Sequence, residues 1–218
     1  SKDGFLSVLQ QVRGNTRITS DSPEGSYNAL KKYGIEVESR EELYRFVGPP
    51  LVESFQKYYG FSPEKAMEAT HVYREYYSRY DIFENSVYNG VEEMLRMLKD
   101  GGKRLIVATS KPEVFAERII EHFGLSRYFD YVAGSLLNET RTGKAEVIEY
   151  ALEKCGIADK GSVVMVGDRE QDVYGAAKAG IDCIGVLYGF GDRAEHEKAG
   201  AMYIAEAPVD VAKIILEK

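Results

Sequence analysis

Short apolar runs alternate with amphipathic helical stretches along the second half of the chain. The runs span residues 104–109, 130–134, 162–167, 182–186 and 202–205. Strands that lack polar alternation are buried on both faces, and strands that alternate with helices pair in parallel. From about residue 90 to the C-terminus, the pattern therefore predicts an α/β domain built on a doubly wound parallel sheet.

The stretches between these runs repeat apolar residues at helical spacing. We predict helices over residues 111–123, 143–154, 169–179 and 208–216. The first three of them stop shortly before a glycine, at Gly124, Gly156 and Gly180 respectively. Glycine directly after the last turn commonly ends a helix, so these boundaries support the assignment.

Residues 28–80 show no convincing strand pattern. Helical periodicity predicts helices over residues 41–46, 51–59 and 63–80. Ser62 precedes Pro63, an arrangement in which serine caps the helix and proline takes its first position. We therefore predict a small helical domain over residues 26–85, inserted into an α/β core formed by residues 1–25 and 86–218.

The charge balance excludes some classes of partner. The chain has 218 residues with 28 Lys and Arg against 35 Asp and Glu, a net charge of −7. Nucleic acids and anionic membranes prefer a basic face, and no apolar run approaches the roughly 18 residues that a membrane helix needs. Two cysteines, Cys155 and Cys183, are too few for a disulfide framework, so we predict free thiols and a cytoplasmic location.

Polar residues follow the first strand of the α/β half, at Thr109 and Ser110. In an open parallel sheet, ligands bind beyond the carboxyl ends of the strands. A hydroxyl group beside the free N–H groups at a helix start suits an anion such as phosphate. The alternative is that Thr109 or Ser110 simply caps the following helix.

Two carboxylates follow another buried strand. Asp168 comes directly after it and Asp172 lies four residues on, so both side chains share one face of a helix start. Close carboxylates repel unless a cation lies between them, and hard oxygen ligands suit Mg²⁺. The alternative is a solvated first turn, where acidic side chains are favoured by the helix dipole.

Lys144 stands at the start of a predicted helix, where its charge opposes the helix dipole. It could pair with a bound phosphate or with a carboxylate, and the alternative is an exposed lysine. The three histidines, His71, His122 and His196, have no partners at metal-ligand spacing, and we expect them on the surface or at helix ends. The segment from Gly189 to Gly191 is interpreted as a loop hinge.

The order of Thr109-Ser110-Lys, then Lys144, then Gly-Asp168-x-x-x-Asp172 resembles the haloacid dehalogenase-like hydrolases. The helical insert resembles the small α-helical cap of that superfamily, and the closest branch is the phosphoglycolate phosphatase-like one. The likeness covers about Ala29 to the C-terminus. It implies a Rossmann-like core and hydrolysis of a small phosphorylated metabolite, with phosphoglycolate or a nucleotide as guesses.

The resemblance also implies roles for individual residues. Thr109, with Ser110, resembles the phosphate-binding position, and Lys144 resembles the lysine that stabilises the nucleophile and phosphate charge. Asp168 and Asp172 resemble the acidic residues of the Mg²⁺ site. Arg45 is a weak candidate for substrate contact from the cap, since a solvated helix face explains it equally well.

The resemblance further implies an N-terminal Asp-x-Asp-Gly-Thr loop after the first strand, with an aspartate nucleophile and an aspartate general acid/base. This sequence has no such loop, because Gln11 and Arg13 stand near the two expected positions after a candidate strand over residues 5–12. Glutamine does not form an aspartyl phosphate, and arginine is no acid/base at neutral pH. Either the chain is an inactive relative that binds a phosphorylated ligand or a protein partner, or residues 1–25 differ from the natural protein; we favour the second.

Overall fold

In a computed structural model of the chain, the described residues are 12–14, 23–46, 50–83, 85–138 and 140–217. They divide into two compact units, one containing Val87–Lys218 and the other Val12–Ser86. The smaller unit thus begins at Val12, whereas the sequence pattern predicted a helical segment from residue 26. The assignment of this unit as a cap domain stays a prediction.

The smaller unit is mostly helical. Its helices are α1 (Pro23–Lys32), α2 (Leu51–Tyr59) and α3 (Pro63–Tyr76), with a 3₁₀ helix at Arg40–Phe46 and a π-helical turn at Tyr77–Asp81. Strands β1 (Val12–Gly14) and β2 (Asn85–Val87) pair with each other. The predicted helix over residues 41–46 is therefore a 3₁₀ helix, and α3 changes to a π turn where the prediction continued it unbroken.

Aromatic packing fills the interior of this unit. Phe46 and Phe55 are almost fully buried, and their ring centroids lie 4.9 Å apart in an edge-to-face arrangement. Such pairs stabilise a core beyond the area that they bury. At the start of α3, Ser62 Oγ accepts a hydrogen bond from the Lys65 N–H at 3.2 Å, and Pro63 takes the first helical position. The predicted N-cap of this helix by Ser62 is thereby confirmed.

The larger unit alternates strands and helices, as predicted. Its strands are β3 (Ile106–Pro112), β4 (Tyr131–Ser135), β5 (Val164–Gly167), β6 (Asp182–Val186) and β7 (Tyr203–Ala205). Its helices are α4 (Val91–Asp100), α5 (Glu113–His122), α6 (Lys144–Lys154), α7 (Glu170–Ala179), α8 (Arg193–Ala199) and α9 (Pro208–Leu216). Short 3₁₀ turns lie at Ser126–Tyr128 and Lys160–Ser162.

The paired strands of the larger unit described above run parallel. β3 pairs with β4, and β5, β6 and β7 pair in that order. In the second group, Gly167 at the end of β5 is opposite Gly185 of β6. This register puts the segments that follow β5 and β6 side by side at the carboxyl edge. The α/β class with parallel strands is confirmed.

One apolar core joins the two groups of strands. Helix α6 contacts β3 and β4, helix α7 contacts β5 and β6, and the two helices pack on each other. A single buried cluster accordingly contains Ile106 of β3, Val147 of α6, Met165 of β5 and Val173 of α7. Burial of these side chains stabilises the fold by roughly 1.5–3 kcal/mol each.

The predictions on cysteines and membrane spans can be compared directly with this part of the chain. Cys155 and Cys183 are both free, and Cys183 is buried. Burial raises the pKa of the Cys183 thiol, which keeps it protonated and unreactive. Within the described ranges, none of the helices combines the length and apolar character required to cross a bilayer.

Candidate active site

The carboxyl end of β5 delivers Asp168 into the interior of the larger unit. Its side chain has no exposed surface, although charged side chains are rarely buried without a partner. Asp168 Oδ2 accepts a hydrogen bond from the Phe190 N–H at 2.9 Å. The other carboxylate oxygen, Oδ1, is buried and receives no hydrogen bond from any residue that the structure describes.

The environment of Asp168 changes its protonation. Burial, and then the negative charge of Asp172, raise the pKa of the Asp168 carboxyl to about 6. The Phe190 N–H and the positive charge of Lys144 oppose this rise. A buried carboxylate with an unsatisfied oxygen is costly to keep charged, so the site favours a cation or a proton at that oxygen.

Asp172 lies at the start of α7 and is fully buried. Its Oδ2 accepts hydrogen bonds from the N–H groups of Asp168 and Arg169, each at 3.1 Å. These bonds satisfy donors that the first turn of a helix otherwise leaves free. The alternative of a solvated first turn is wrong, since Asp172 stabilises the helix start from inside the protein.

Lys144, the first residue of α6, joins the two groups of strands at this edge. Its Nζ lies 2.9 Å from Asp172 Oδ1 and 3.4 Å from the carbonyl oxygen of Ala108 in β3. Only 9% of its side chain is exposed, so the alternative of an exposed lysine is wrong. The structure thus brings together Lys144, Asp168 and Asp172, and the roles that the resemblance implies for them stay predictions.

A glycine on α7 makes room for the lysine. A Cβ atom at Gly175 would lie 2.4 Å from Lys144 Cγ, a distance that no side chain can adopt without displacement. Glycine in a helix interior costs about 0.5–1 kcal/mol relative to alanine. Because Gly175 has no side chain, the stem of Lys144 can lie against α7 and its Nζ can reach Asp172.

The loop after β6 forms a wall against Asp168, and sequence reasoning missed this role. The Gly191 N–H donates to the Asp168 carbonyl oxygen at 2.7 Å, and Phe190 provides the bond to the carboxylate described above. A Cβ atom at Gly189 would lie 2.2 Å from Asp168 Cβ. The sequence signal for this wall is the glycine pair Gly189 and Gly191. It follows β6, which is the strand next to β5, and β5 directly precedes Asp168.

Thr109 lies in β3, beside the Ala108 carbonyl that Lys144 approaches. It is buried, and its Oγ1 accepts a hydrogen bond from the Lys111 N–H at 3.1 Å. Helix α5 begins at Glu113 with Pro112 at its cap position and no side-chain cap. The alternative that Thr109 or Ser110 caps the helix is therefore wrong, because β3 continues three residues further than predicted. Ser110 itself is exposed.

Arg45, the candidate for substrate contact, lies in the smaller unit. Its Nη2 is 2.5 Å from Glu42 Oε1, and its guanidinium lies 4.6 Å from the ring centroid of Tyr58. Tyr59 OH donates to the same Glu42 oxygen at 2.7 Å. These contacts explain the position of Arg45 through packing within its own unit, and its role toward a substrate stays a prediction.

The histidines differ in their surroundings. His71 and His122 are exposed, as expected. His196 lies in the last turn of α8, a helix end as expected, but its side chain is completely buried rather than on the surface, and its Nε2 lies 3.2 Å from the Val186 carbonyl oxygen. Helical periodicity could not reveal this burial, since α8 has only seven residues and its inner face is set by the neighbouring strand.

The donor set at Asp168 can be compared with what Mg²⁺ requires. No three His, Cys, Asp or Glu side chains of the described residues group as a metal site. Mg²⁺ is commonly held by one or two carboxylates and retains several waters. The free Oδ1 of Asp168 fits such a cation. Among the described residues, Asp172 Oδ2 accepts two hydrogen bonds, and Oδ1 accepts none but is ion-paired with Lys144 Nζ at 2.9 Å, so Lys144 already occupies the place of a cation there. Asp172 as a direct ligand stays a prediction.

In the expected nucleophile region, residues 5–11 of the candidate first strand, which include Gln11, and the side chain of Arg13 lie outside the described residues.

Comparisons with known proteins find relatives of similar sequence and fold. A 5'-nucleotidase of Pseudomonas aeruginosa is 43% identical over 167 residues, which cover 77% of this chain and 75% of that protein. Tyrosine-protein kinase PtkA of Mycobacterium tuberculosis is 38% identical, over 75% of this chain but only 55% of its own length. The crystal structure of a predicted phosphatase from Clostridium acetobutylicum has a TM-score of 0.87 and 41% identity, covering 99% of this chain and 98% of that one.

The family model of the haloacid dehalogenase-like hydrolases matches residues 23–186. This match spans most of the chain, begins after the segment that contains Gln11 and Arg13, and includes the three buried site residues Lys144, Asp168 and Asp172. The chain belongs to the haloacid dehalogenase-like hydrolase family.

Proposed function

We propose that the protein is a Mg²⁺-dependent phosphatase that hydrolyses a small phosphomonoester. The observation that carries this proposal is the buried Asp168 carboxylate, whose unpartnered Oδ1 lies in the same site as the Lys144–Asp172 ion pair. Such a site offers one oxygen to a cation and a positive charge to an anionic substrate. The phosphatase and nucleotidase names of similar proteins support the same reaction class.

Each residue has a distinct task in this proposal. Asp168 would hold Mg²⁺ through Oδ1, and the bound cation would neutralise charge on the phosphoryl oxygens. Lys144 supplies a fixed positive charge whose position is set by Asp172 and by the stem contact with Gly175. Charges that are already oriented stabilise a transition state without reorganisation, which is the largest contribution in many enzymes. Thr109 would bind the transferred phosphoryl group.

The names of similar proteins support two candidate substrate classes. The 5'-nucleotidase of Pseudomonas aeruginosa makes a nucleoside monophosphate the first candidate, and phosphoglycolate is the second. A small anionic metabolite is compatible with the net charge of −7, because Lys144 and the cation provide local positive charge. Two free thiols support a reducing, cytoplasmic setting.

The N-terminal segment favours a second candidate function. Gln11 and Arg13 stand near the positions where the family resemblance implies the nucleophile and the general acid/base. A chain without these aspartates would bind a phosphorylated ligand through Lys144 and the cation but would not form an aspartyl phosphate. The second candidate is therefore a non-catalytic binding protein for phosphorylated ligands.

Hydrolysis of p-nitrophenyl phosphate and of a panel of 5'-nucleotides, with and without Mg²⁺, tests the proposal. We expect Mg²⁺-dependent turnover that falls about 100-fold or more in Asp168→Asn. Asp159→Asn is the matched control, since Asp159 is exposed and precedes the amino end of the same strand. Absence of turnover across the panel contradicts the enzyme, and phosphate binding by the same inactive chain then supports the second candidate.

A further inference from the structure

Two adjacent residues of helix α8, Glu195 and His196, contact the segments around Asp168. We call residues 168–170 the Asp168 turn. Glu195 Oε1 accepts a hydrogen bond from the Glu170 N–H at 2.7 Å and another from Arg169 Nε at 2.8 Å. These donors belong to the two residues that follow Asp168. Although partial burial alone would raise the pKa of Glu195, its hydrogen bonds from Arg169 and Glu170 lower it. Glu195 is therefore ionised at neutral pH and accepts both bonds as a carboxylate.

The second contact comes from His196, which touches the loop on the other side. His196 Nε2 lies 3.2 Å from the carbonyl oxygen of Val186, the last residue of β6. A Cβ atom at Gly191 would lie 3.1 Å from that nitrogen and 2.3 Å from the Asp168 carbonyl oxygen. The Gly191 backbone is thus enclosed between His196 and Asp168, with no room for a side chain.

The two contacts restrain Asp168 through different atoms. Glu195 binds the backbone N–H of Glu170 and the side chain of Arg169, and His196 lies against Gly191 in the loop whose Phe190 N–H binds the carboxylate. Asp192 Oδ1 in turn accepts from the Glu195 N–H at 2.8 Å, which fixes the start of α8. Within the described residues, the Asp168 turn is consequently bounded on both sides by a single short helix.

We propose that Glu195 is a positioning residue for Asp168, supported by its neighbour His196, and that it holds the carboxylate in the orientation that binds the cation. The inference rests on the Mg²⁺ site of the proposed function and adds a residue that the sequence motifs do not contain. Outer residues that orient a metal ligand commonly contribute 10–100-fold to metal affinity, because a ligand that must be ordered on binding binds more weakly.

Three variants of α8 test the role of Glu195. Glu195→Ala removes the acceptor, and Glu195→Gln keeps one neutral acceptor oxygen. Glu197→Ala is the control because Glu197 is 62% exposed and its Oε1 lies 3.9 Å from Arg193 Nη1. Mg²⁺ affinity is measured by titration calorimetry on the full chain. Amide hydrogen exchange of Phe190, whose N–H donates to Asp168 Oδ2, reports the order of the loop without metal.

We expect Glu195→Ala to weaken Mg²⁺ binding about tenfold or more and to accelerate exchange of the Phe190 amide, with Glu195→Gln intermediate and Glu197→Ala unchanged. Equal Mg²⁺ affinity in Glu195→Ala and Glu197→Ala overturns the proposal. If Glu195→Ala does not fold, Glu195→Gln carries the same comparison.

A wild-type chain that binds no Mg²⁺ contradicts the proposed function, and the Phe190 exchange rate then decides the positioning role on its own. Faster exchange in Glu195→Ala supports restraint of the turn by α8. Exchange equal to that of Glu197→Ala overturns it.

Discussion

Lys144 Nζ lies 2.9 Å from Asp172 Oδ1, and the two side chains form an ion pair with almost no exposure to solvent. The pair connects the first residue of α6 with the first turn of α7, close to the ends of strands β3 and β5. Asp172 is thereby neutralised on one oxygen and bonded to backbone N–H groups on the other. Asp168 remains the carboxylate with a free oxygen.

Loss of the lysine charge should destabilise the fold strongly. In Lys144→Met the stem is kept while Asp172 Oδ1 is left as a buried charge without a partner, a change that typically costs about 3–5 kcal/mol. The free energy of unfolding from urea titration checks this. Lys154→Met is the control, since Lys154 is exposed in the last turn of the same helix, and an equal loss in both variants would sink the prediction.

Gly175→Ala should weaken the site in spite of helix propensity. Alanine in a helix interior is favoured over glycine by roughly 0.8–1 kcal/mol, but the new Cβ would lie 2.4 Å from Lys144 Cγ. We expect a net destabilisation of about 1–3 kcal/mol from this overpacking. A double-mutant cycle with Lys144→Ala measures the coupling, because removal of the lysine stem should relieve most of the loss. Simple additivity of the two changes contradicts the contact.

The stability of the metal-free protein should carry a pH signature from Asp168. Its pKa is about 6 when folded, above the usual value of 3.8, so the folded state retains this proton more strongly than the unfolded chain does. The stability that this group contributes is present below the lower value, falls as pH rises between the two, and stays reduced above pH 6. The loss amounts to about 3 kcal/mol at most, on the order of 1.4 kcal/mol per pKa unit.

Asp168→Asn isolates this contribution. The difference in free energy of unfolding between Asp168→Asn and the wild type should move in favour of the variant as pH rises from 4 to 6.5, which denaturant titrations at several pH values measure. Addition of Mg²⁺ at pH 7 should increase the free energy of unfolding of the wild type and leave that of Asp168→Asn unchanged. A pH-independent difference is the result that contradicts a raised pKa.

Restoring the two aspartates of the family loop should increase turnover. Gln11→Asp combined with Arg13→Asp provides the nucleophile and the acid/base that the resemblance implies near these positions. We expect p-nitrophenyl phosphate hydrolysis to rise by about 100-fold or more, as is typical when acid–base and nucleophilic groups are supplied. Either single variant should remain near the starting rate. If the double variant gains nothing, the chain's lack of these residues does not limit its chemistry.

The order of strands and helices follows from local pattern. Apolar runs without alternation predicted β5 and β6, and glycines after the last turn predicted the ends of α5 and α7, because backbone propensity and periodicity are properties of neighbouring residues. The same reasoning identified Asp168 and Asp172. A residue that follows a parallel strand lies at the carboxyl edge of the sheet, and residues four apart in a helix lie on one face.

Contacts between distant segments could not be predicted in this way. The wall of Phe190 and Gly191, the two hydrogen bonds that Glu195 accepts and the accommodation of Lys144 by Gly175 all join residues at least 22 positions apart. The contact of the buried His196 with Val186 joins residues ten positions apart, beyond the spacing within one helix face. Sequence periodicity does specify which face of a helix is apolar, and so the class of fold. Which carboxylate keeps a free oxygen depends on how α6, α7 and α8 pack, because that packing distributes a limited set of N–H donors and one lysine among the buried Asp168 and Asp172 and the partly exposed Glu195.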